Sequence, residues 1–525
     1  MDYKVLLLTS GIGSRLGSIT NYTNKSLVRI GEKPIICHVL DRYYAGIEIV
    51  VTLGHYGNQV KDFLQIAYPN RKFTFVQVDN FNGPGSSLVY SLLQAESALE
   101  CPFVYHACDT LIPSDKILVP SENWLGGCKS ANSVEYTSLS VLNDHVIQTH
   151  EKGEEVFDYI YIGLAGVYDY QKFFATAKAL YQKRKNDSQI SDIDISNVLI
   201  REGVSFKYIN FPSWLDAGNI DGLKKAREIY KSDIEVLCKD TESIFILNKQ
   251  VVKFFYDKKV VQNRVARANI LKNLVPNIIS QKDNFYSYEY AEGKILSSII
   301  SENLMDTFLT WAKTNLWLKR KEANTDFYKT CMNFYFAKTR ERTAQFLENY
   351  GMADSSEIIN STQVPKISDM LDSIPEKWLC DVPCYNFHGD FILDNVLFDD
   401  NTFVLLDWRQ DFGGDLNNGD IYYDLAKLNH NLIFNHEIIN NGNFLVKKDQ
   451  HIKVDLLMSY NLSKCREVLN RFLHENNFDV KKVNLLSAII WLNMAPLHSY
   501  PVDMFLYYFG KLNLHKELRS LNYEL

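Results

Sequence analysis

The sequence predicts an α/β chain built in two parts: a Rossmann-like, mainly parallel sheet covered by helices, then a two-lobed α+β body with a small β lobe and a large helical lobe. Three observations predict it. The length of 525 residues exceeds what one hydrophobic core usually organises. From Lys4 to about Ala226, short β-rich runs at Val5–Leu8, Ile47–Leu53, Phe73–Val78 and Phe103–His106 alternate with helical stretches, the rhythm of a parallel sheet with helices on its faces. The pattern then changes. Ile244–Leu247 and Val251–Tyr256 flank Asn248-Lys249 as paired strands, and a further strand lies near Tyr286–Tyr290. From Leu296 onward helical periodicity dominates, interrupted by a β-like segment at Val396–Trp408. The charged stretch from Ala226 to Thr241 reads as a helix leading into a linker. The expected division is 1–230, a linker at 231–242, a small β lobe at 243–295 and a helical lobe at 296–525.

Charge and composition narrow the function classes. Apolar residues make up 46% and charged residues 23%, as in a chain that buries sizeable cores. Fifty-six basic against 63 acidic side chains give a net charge of -7, without the basic footprint of a nucleic-acid or anionic-lipid binder. Small-molecule substrates are expected. The only apolar run near the start, Val5 to Leu8, follows acidic Asp2 and is too short for a signal peptide or a membrane span, so a cytoplasmic protein without membrane insertion is expected. Nine cysteines without a repeated CxxC pair argue against a disulfide framework or a structural zinc site. Self-association is left open, and a homo-oligomer is a possible state.

The first predicted strand runs into Thr9-Ser10-Gly11-Ile12-Gly13-Ser14-Arg15-Leu16, with Lys25 nine residues further on. Gly11 and Gly13 let backbone N–H groups approach phosphate oxygens, while Arg15 and Lys25 supply positive charge where a leaving pyrophosphate accumulates negative charge. This resembles the GxGxRL…PK signature of the sugar-phosphate nucleotidyltransferases over residues 1 to 230, with Asn24 standing where that family has proline. The later motifs follow in the family's order. Gly83, Gly85 and Ser86 sit where the family has a Gly-rich segment that contacts the nucleotide base. Asp109 follows the Phe103–His106 strand at its carboxyl end, where open α/β sheets place ligands. Glu151-Lys152 resembles an EK pair in which Lys152 holds the acceptor phosphate. Trp214-Leu215-Asp216-Ala217-Gly218 resembles the W-x-D-x-G segment. The resemblance implies that Asp109 and Asp216 bind one Mg²⁺, and that a substrate phosphate attacks the α-phosphorus of an NTP and releases pyrophosphate.

In the C-terminal part, His388-Gly389-Asp390-Phe391-Ile392-Leu393-Asp394-Asn395 precedes Leu405-Leu406-Asp407-Trp408. A phosphoryl transferase needs one carboxylate for the substrate hydroxyl's proton, and an amide plus a second carboxylate for Mg²⁺ on the ATP phosphates. Asp390 fits the first role; Asn395 and Asp407 fit the second. The pattern resembles the HGDxxxxN…DW signature of the aminoglycoside phosphotransferase and choline kinase superfamily over residues 241 to 525, and so implies a protein-kinase-like fold. Asp424 matches its DLA segment, and His388 is read as orienting the catalytic loop. Lys253 on the second strand suits the ATP-phosphate lysine, and Glu289-Tyr290 resembles the hinge that pairs with adenine. Two departures stand out. The helix expected to carry the lysine's acidic partner reads Gln262-Asn263-Arg264-Val265-Ala266-Arg267-Ala268, without an acid, and the segment after Trp408 reads Arg409-Gln410-Asp411-Phe412 where Glu is common.

A domain that makes a phosphate joined to one that consumes it implies consecutive steps: a sugar or polyol plus ATP, then its phosphate plus an NTP (CTP, UTP or dTTP), with Mg²⁺ in both sites. The product would be an NDP-activated precursor for surface glycan. A choline kinase with a CTP:phosphocholine cytidylyltransferase would show the same two families. It would need an aromatic cage, for which Trp408, Phe412, Tyr422, Tyr423, Trp491, Tyr500, Tyr507 and Tyr508 are candidates. In a third reading one domain is non-catalytic and serves as a nucleotide sensor or scaffold.

Overall fold

The computed structural model describes residues 3–113, 116–130, 133–231, 240–320, 326–399 and 402–522. It divides into two compact units: residues 1–261 with 279–289, and residues 262–278 with 290–525.

The first unit is built on a nine-stranded sheet. Its strands are β1 (Lys4–Leu8), β2 (Ile49–Leu53), β3 (Phe73–Gln77), β4 (Phe103–Ala107), β5 (Trp124–Cys128), β6 (Ser138–Leu142), β7 (His145–His150), β8 (Tyr159–Val167) and β9 (Lys207–Asn210), in the spatial order β3-β2-β1-β4-β8-β5-β9-β7-β6. The expected α/β architecture is present. The pairs from β3 through β4 are parallel, as is β5 with β9, while the other neighbours run antiparallel. Antiparallel pairs enter where the chain returns by a hairpin instead of a helix, as between β6 and β7. The four strands expected from the sequence all form, each within two residues of its expected ends.

Alternation along each strand explains the layering. In β1, Val5 and Leu7 join one apolar cluster with Ile49, Val51 and Phe63, whereas Leu6 and Leu8 join a second cluster with Val50, Tyr105 and Phe173. Side chains on successive strand residues point to opposite faces, so a run apolar at every position belongs in a sheet covered on both sides. Helices Gly57–Ala67 and Tyr170–Lys183 supply Phe63 and Phe173 to the two covers.

The hairpin expected around Asn248-Lys249 forms between Glu242–Leu247 and Gln250–Phe255. Both turn residues adopt positive φ, 51° and 58°, as a two-residue hairpin turn requires. With Phe285–Glu289 and Ile278–Gln281 these strands make a four-stranded sheet. Phe245, Val252, Phe254 and Phe285 share the apolar cluster of Phe63, and Gln250 Nε2 donates to Ile66 O at 3.2 Å. The helix before this sheet spans Ile220–Ile229; most of the linker expected at 231–242 lies outside the described residues.

The second unit is helix-rich, as expected. Helices Ile421–Ile433 and Val480–Met494 are buried along most of their length. The β-like segment resolves into a hairpin, Val396–Phe398 with Phe403–Leu405. Among the described residues, no helix is long and apolar enough to cross a membrane.

Candidate active sites

Each unit holds one constellation of acids and cations. In the first, the carboxyl ends of β1 and β4 open into a cavity of about 590 Å³, whose walls include Gly11, Gly13, Arg15, Lys25, Ser86, Asp109, Lys152 and Asp216. Asp109 lies just past β4, and a two-residue ladder pairs Asp216 with Thr110 and Leu215 with Leu111. The Ala217 N–H donates to Asp109 O at 2.9 Å, so two segments a hundred residues apart present their carboxylates side by side. A methyl at Gly218 would strike the Asp109 carboxylate, which explains a glycine at this position.

The cations sit on the same acid. Lys25 Nζ lies 3.1 Å and Arg15 Nη2 3.9 Å from Asp109 Oδ2. Burial would raise the Asp109 carboxyl, but Lys25 and Arg15 outweigh it and hold the group below its ordinary value. Asp216 is shifted the other way, by burial and by the charge of Asp109. Its Oδ1 accepts from Gly218 N (2.7 Å), and its Oδ2 accepts from Tyr136 OH (2.9 Å) and Asn219 Nδ2 (2.8 Å). Tyr136 has no signature in the sequence. Nor does Asp192, a cavity-wall acid bonded by the Tyr161 hydroxyl and pushed up to about 6 by burial.

Gly13 adopts φ 70°, and a Cβ there would lie 2.9 Å from Lys25 Cβ, so the loop turns tightly over the lysine. Gly83 and Gly85, at φ 92° and 81°, are not part of the wall; they shape the turn that brings Ser86 to it. Lys152 reaches the cavity wall from an exposed turn. Asn24 compensates for the absent proline with hydrogen bonds. Its Nδ2 donates to Thr9 O (2.8 Å) and His55 O (2.6 Å), and its Oδ1 accepts from Ser26 N (2.9 Å) and Ser26 Oγ (2.7 Å). Asn24→Ala leaves buried carbonyls unpaired, and about 2 kcal/mol of stability should be lost in denaturant unfolding, with a raised KM for NTP as Lys25 loosens.

In the second unit, the Val396–Leu405 hairpin juxtaposes the two ends of the expected phosphoryl-transfer motif: Leu406 N donates to Asn395 O at 2.8 Å. Asn395 Nδ2 donates to Asp390 Oδ2 at 3.1 Å. His388 is fully buried; its Nε2 donates to Leu406 O (2.9 Å), which leaves Nδ1 to accept from Asp390 N (3.2 Å). Burial pushes its pKa down to about 4, so it is neutral and positions the loop. Asp424 anchors the loop from below, accepting from His388 N (2.8 Å), Gly389 N (2.7 Å) and Trp317 Nε1 (3.1 Å).

Two cations that the motifs did not reveal complete this site. Lys427 Nζ lies 2.7 Å from Asp390 Oδ1, one helical turn after Asp424. Burial would raise the Asp390 carboxyl, but Lys427 outweighs it and keeps the acid below its ordinary value, while 39% of the Asp390 side chain remains open to solvent. Arg264 Nη1 pairs with Asp407 Oδ1 at 2.7 Å. The helix expected to carry an acid thus presents an arginine to the second carboxylate instead. Lys253 is only 3% exposed, at the centre of its strand, unlike the ordinary solvent-exposed strand lysine. Glu289 ends the strand Phe285–Glu289, and Tyr290 is exposed.

Among the described residues, no three His, Cys, Asp or Glu side chains converge as a metal-binding group. Mg²⁺ takes one or two carboxylates and completes its shell with phosphate and water; Asp109 and Asp216 in the first unit, and Asp407 and the Asn395 amide in the second, are the oxygen donors that would hold it.

Residues 325–437 match the phosphotransferase enzyme family. The N-terminal region matches sugar-phosphate nucleotidyltransferases. A probable glucose-1-phosphate cytidylyltransferase of Bacillus subtilis (strain 168) is 36% identical over 62 residues, 11% of this chain; the chain spans about a quarter (24%) of that relative's length. Among solved structures, a putative glucose-1-phosphate thymidylyltransferase from Bacillus anthracis is 23% identical, covering 45% of this chain and 98% of its own with a TM-score of 0.37. The CTP:phosphocholine cytidylyltransferase of Streptococcus pneumoniae is 17% identical, covering 44% and 100%, with a TM-score of 0.36.

Proposed function

We propose that the chain is a bifunctional enzyme that phosphorylates a sugar or polyol with ATP, then couples the new phosphate to an NTP, a pyrimidine nucleotide favoured. The product is an NDP-activated precursor for surface glycan. In this reading residues 243–295 serve as the small lobe of the kinase domain. The observation that carries it is the convergence of Asp109, Asp216, Lys25 and Arg15 in one cavity, on a chain whose other unit presents Asp390 at a phosphotransferase-type loop.

In the first reaction, the acceptor hydroxyl gives its proton to Asp390 as its oxygen bonds to the γ-phosphorus, and ADP leaves with the electrons of the broken P–O bond. Lys427 and Asn395 hold the Asp390 carboxylate in place, and Lys253 and the Glu289-Tyr290 segment bind ATP. In the second, an oxygen of the substrate phosphate, held by Lys152, attacks the α-phosphorus of the NTP and displaces pyrophosphate. Arg15 and Lys25 steady the charge gathering on the leaving group, and Gly11, Gly13 and Ser86 let the nucleotide approach the backbone. Mg²⁺, when bound, supplies further neutralisation of phosphate charge at both sites.

The choline reading is not favoured by its aromatic candidates. Trp408, Phe412, Trp491, Tyr507 and Tyr508 are almost fully buried, and Phe412 packs on Phe334, Tyr335, Phe387 and Tyr423 as core. Incubation of the full chain with ATP, each NTP and a panel of sugars and polyols should yield an NDP-linked product by mass spectrometry. ATP consumption with none of the panel, or with choline alone, refutes the reading.

A further inference from the structure

Beside the Asp390 loop stands a group of basic side chains that neither half-reaction uses. The helical run Phe327–Asn349 passes through a π-helical stretch at Asn333–Ala337, an irregularity frequent at functional sites. There the Phe334 ring is approached by two cations, Lys338 Nζ at 4.3 Å and the Arg409 guanidinium at 5.1 Å. Arg409 is fastened to the catalytic loop: its N–H donates to His388 O at 2.9 Å, and its Cβ would lie 2.6 Å from a Cβ on Gly389. Burial first, and then the positive charges of Arg409, Arg342 and Lys427, push the Lys338 pKa down to about 6. Asp411 is the acid facing the group, and its Oδ1 already accepts from Gly414 N. Among the described residues, Lys338, Arg342 and Arg409 form no ion pair. Asp411 offsets only part of this charge, and Arg409 Nε and Arg342 Nη1 donate to neutral oxygens, Asp411 O (3.0 Å) and Gln345 Oε1 (3.2 Å), so like charges gathered here are favoured by a further anion.

We infer that Lys338, Arg409 and Arg342 form the acceptor subsite of the kinase half, and that the alcohol it phosphorylates already bears an anionic group, a carboxylate or a phosphate. This rests on the kinase reading above and narrows its substrate class. The segment Arg409-Gln410-Asp411-Phe412, which departs from the usual glutamate after Trp408, then has a purpose: a cation replaces an acid where the substrate is anionic. A neutral polyol would leave the group uncompensated, and a quaternary ammonium would be repelled.

The test uses the full chain with Mg²⁺ and ATP and a matched acceptor series: a neutral polyol, its carboxylate, its monophosphate, and choline. The expected result is a kcat/KM at least tenfold higher for the carboxylate or the monophosphate than for the polyol, the better of the two naming the group. Lys338→Met should raise the KM for that acceptor at least tenfold and lower kcat less than threefold, with the KM for ATP unmoved and Lys338→Arg restoring most of the loss. Arg409→Met should act likewise and stands in if Lys338→Met does not fold. The inference is overturned if the polyol is phosphorylated best in an Asp390-dependent way, which leaves the proposed function intact, if choline is, which refutes the sugar or polyol reading as well, or if the variants move the KM for ATP instead. If no acceptor supports Asp390-dependent phosphorylation, both readings fail.

Discussion

Asp390→Asn should reduce ATP-dependent phosphorylation of the acceptor by about a thousandfold in kcat, the scale of a lost general base, and leave NTP-dependent pyrophosphate release within twofold of the parent chain. The asparagine keeps the shape of the side chain and its loop contacts, because the backbone bonds of His388 and Gly389 to Asp424 do not involve it. What it loses is the proton acceptor, together with the charge that faces Lys427 at 2.7 Å. Lys427→Met separates these effects. It frees the Asp390 carboxyl to rise, since the largest influence opposing burial is then gone. Its kcat–pH profile should therefore lose activity at a higher pH on the acid side than the parent's, whereas Asp390→Asn should be flat and near zero throughout. An Asp390→Asn chain that phosphorylates at the parent rate would remove Asp390 from the chemistry.

How much of this was legible beforehand differs between sheet and site. The strands were readable because period and burial coincide: β1, apolar at Val5, Leu6, Leu7 and Leu8, can only lie in a sheet covered on both faces. The antiparallel far half of the sheet was not, because which strand neighbours which is decided by crossovers and not by local pattern. In the sites, the residues tied to a short motif, Asp109, Asp216 and Asp390, were legible because neighbouring residues in the sequence mark them. Their partners were missed, since Tyr136, Lys427 and Arg264 reach their acids across 80, 37 and 143 positions of sequence. Lys427 had a faint signal, one helical turn from Asp424 in the DLA segment. Asn24 shows the opposite case: a visible departure from a family pattern whose meaning lay in four hydrogen bonds that composition does not reveal.

Asp109→Asn is expected to lower nucleotidyl transfer by two to three orders of magnitude, the range for removing one preorganised charge from a phosphoryl site, with acceptor phosphorylation unchanged. Asp109 is the shared counter-charge of the cavity. Lys25 and Arg15 both aim at its Oδ2, and its negative charge is part of what raises the Asp216 carboxyl. Removing it turns the two cations loose; Asp216 then ionises more readily, but it is held in place by Tyr136, Asn219 and Gly218 and supplies one carboxylate where the site had two. The same coupling predicts how a double variant behaves. Asp109→Asn with Asp216→Asn should be little worse than the poorer single variant, because residues that act as one unit are not additive. Lys25→Met tests the other side of the pair. It should raise the Asp109 carboxyl, since burial then meets only Arg15 and a backbone hydrogen bond, and pyrophosphate release should fall as pH is lowered through a range where the parent chain is still fully active. Additive losses in the double variant, or parent-like pH behaviour in Lys25→Met, would show that Asp109, Asp216 and Lys25 do not share a site in solution.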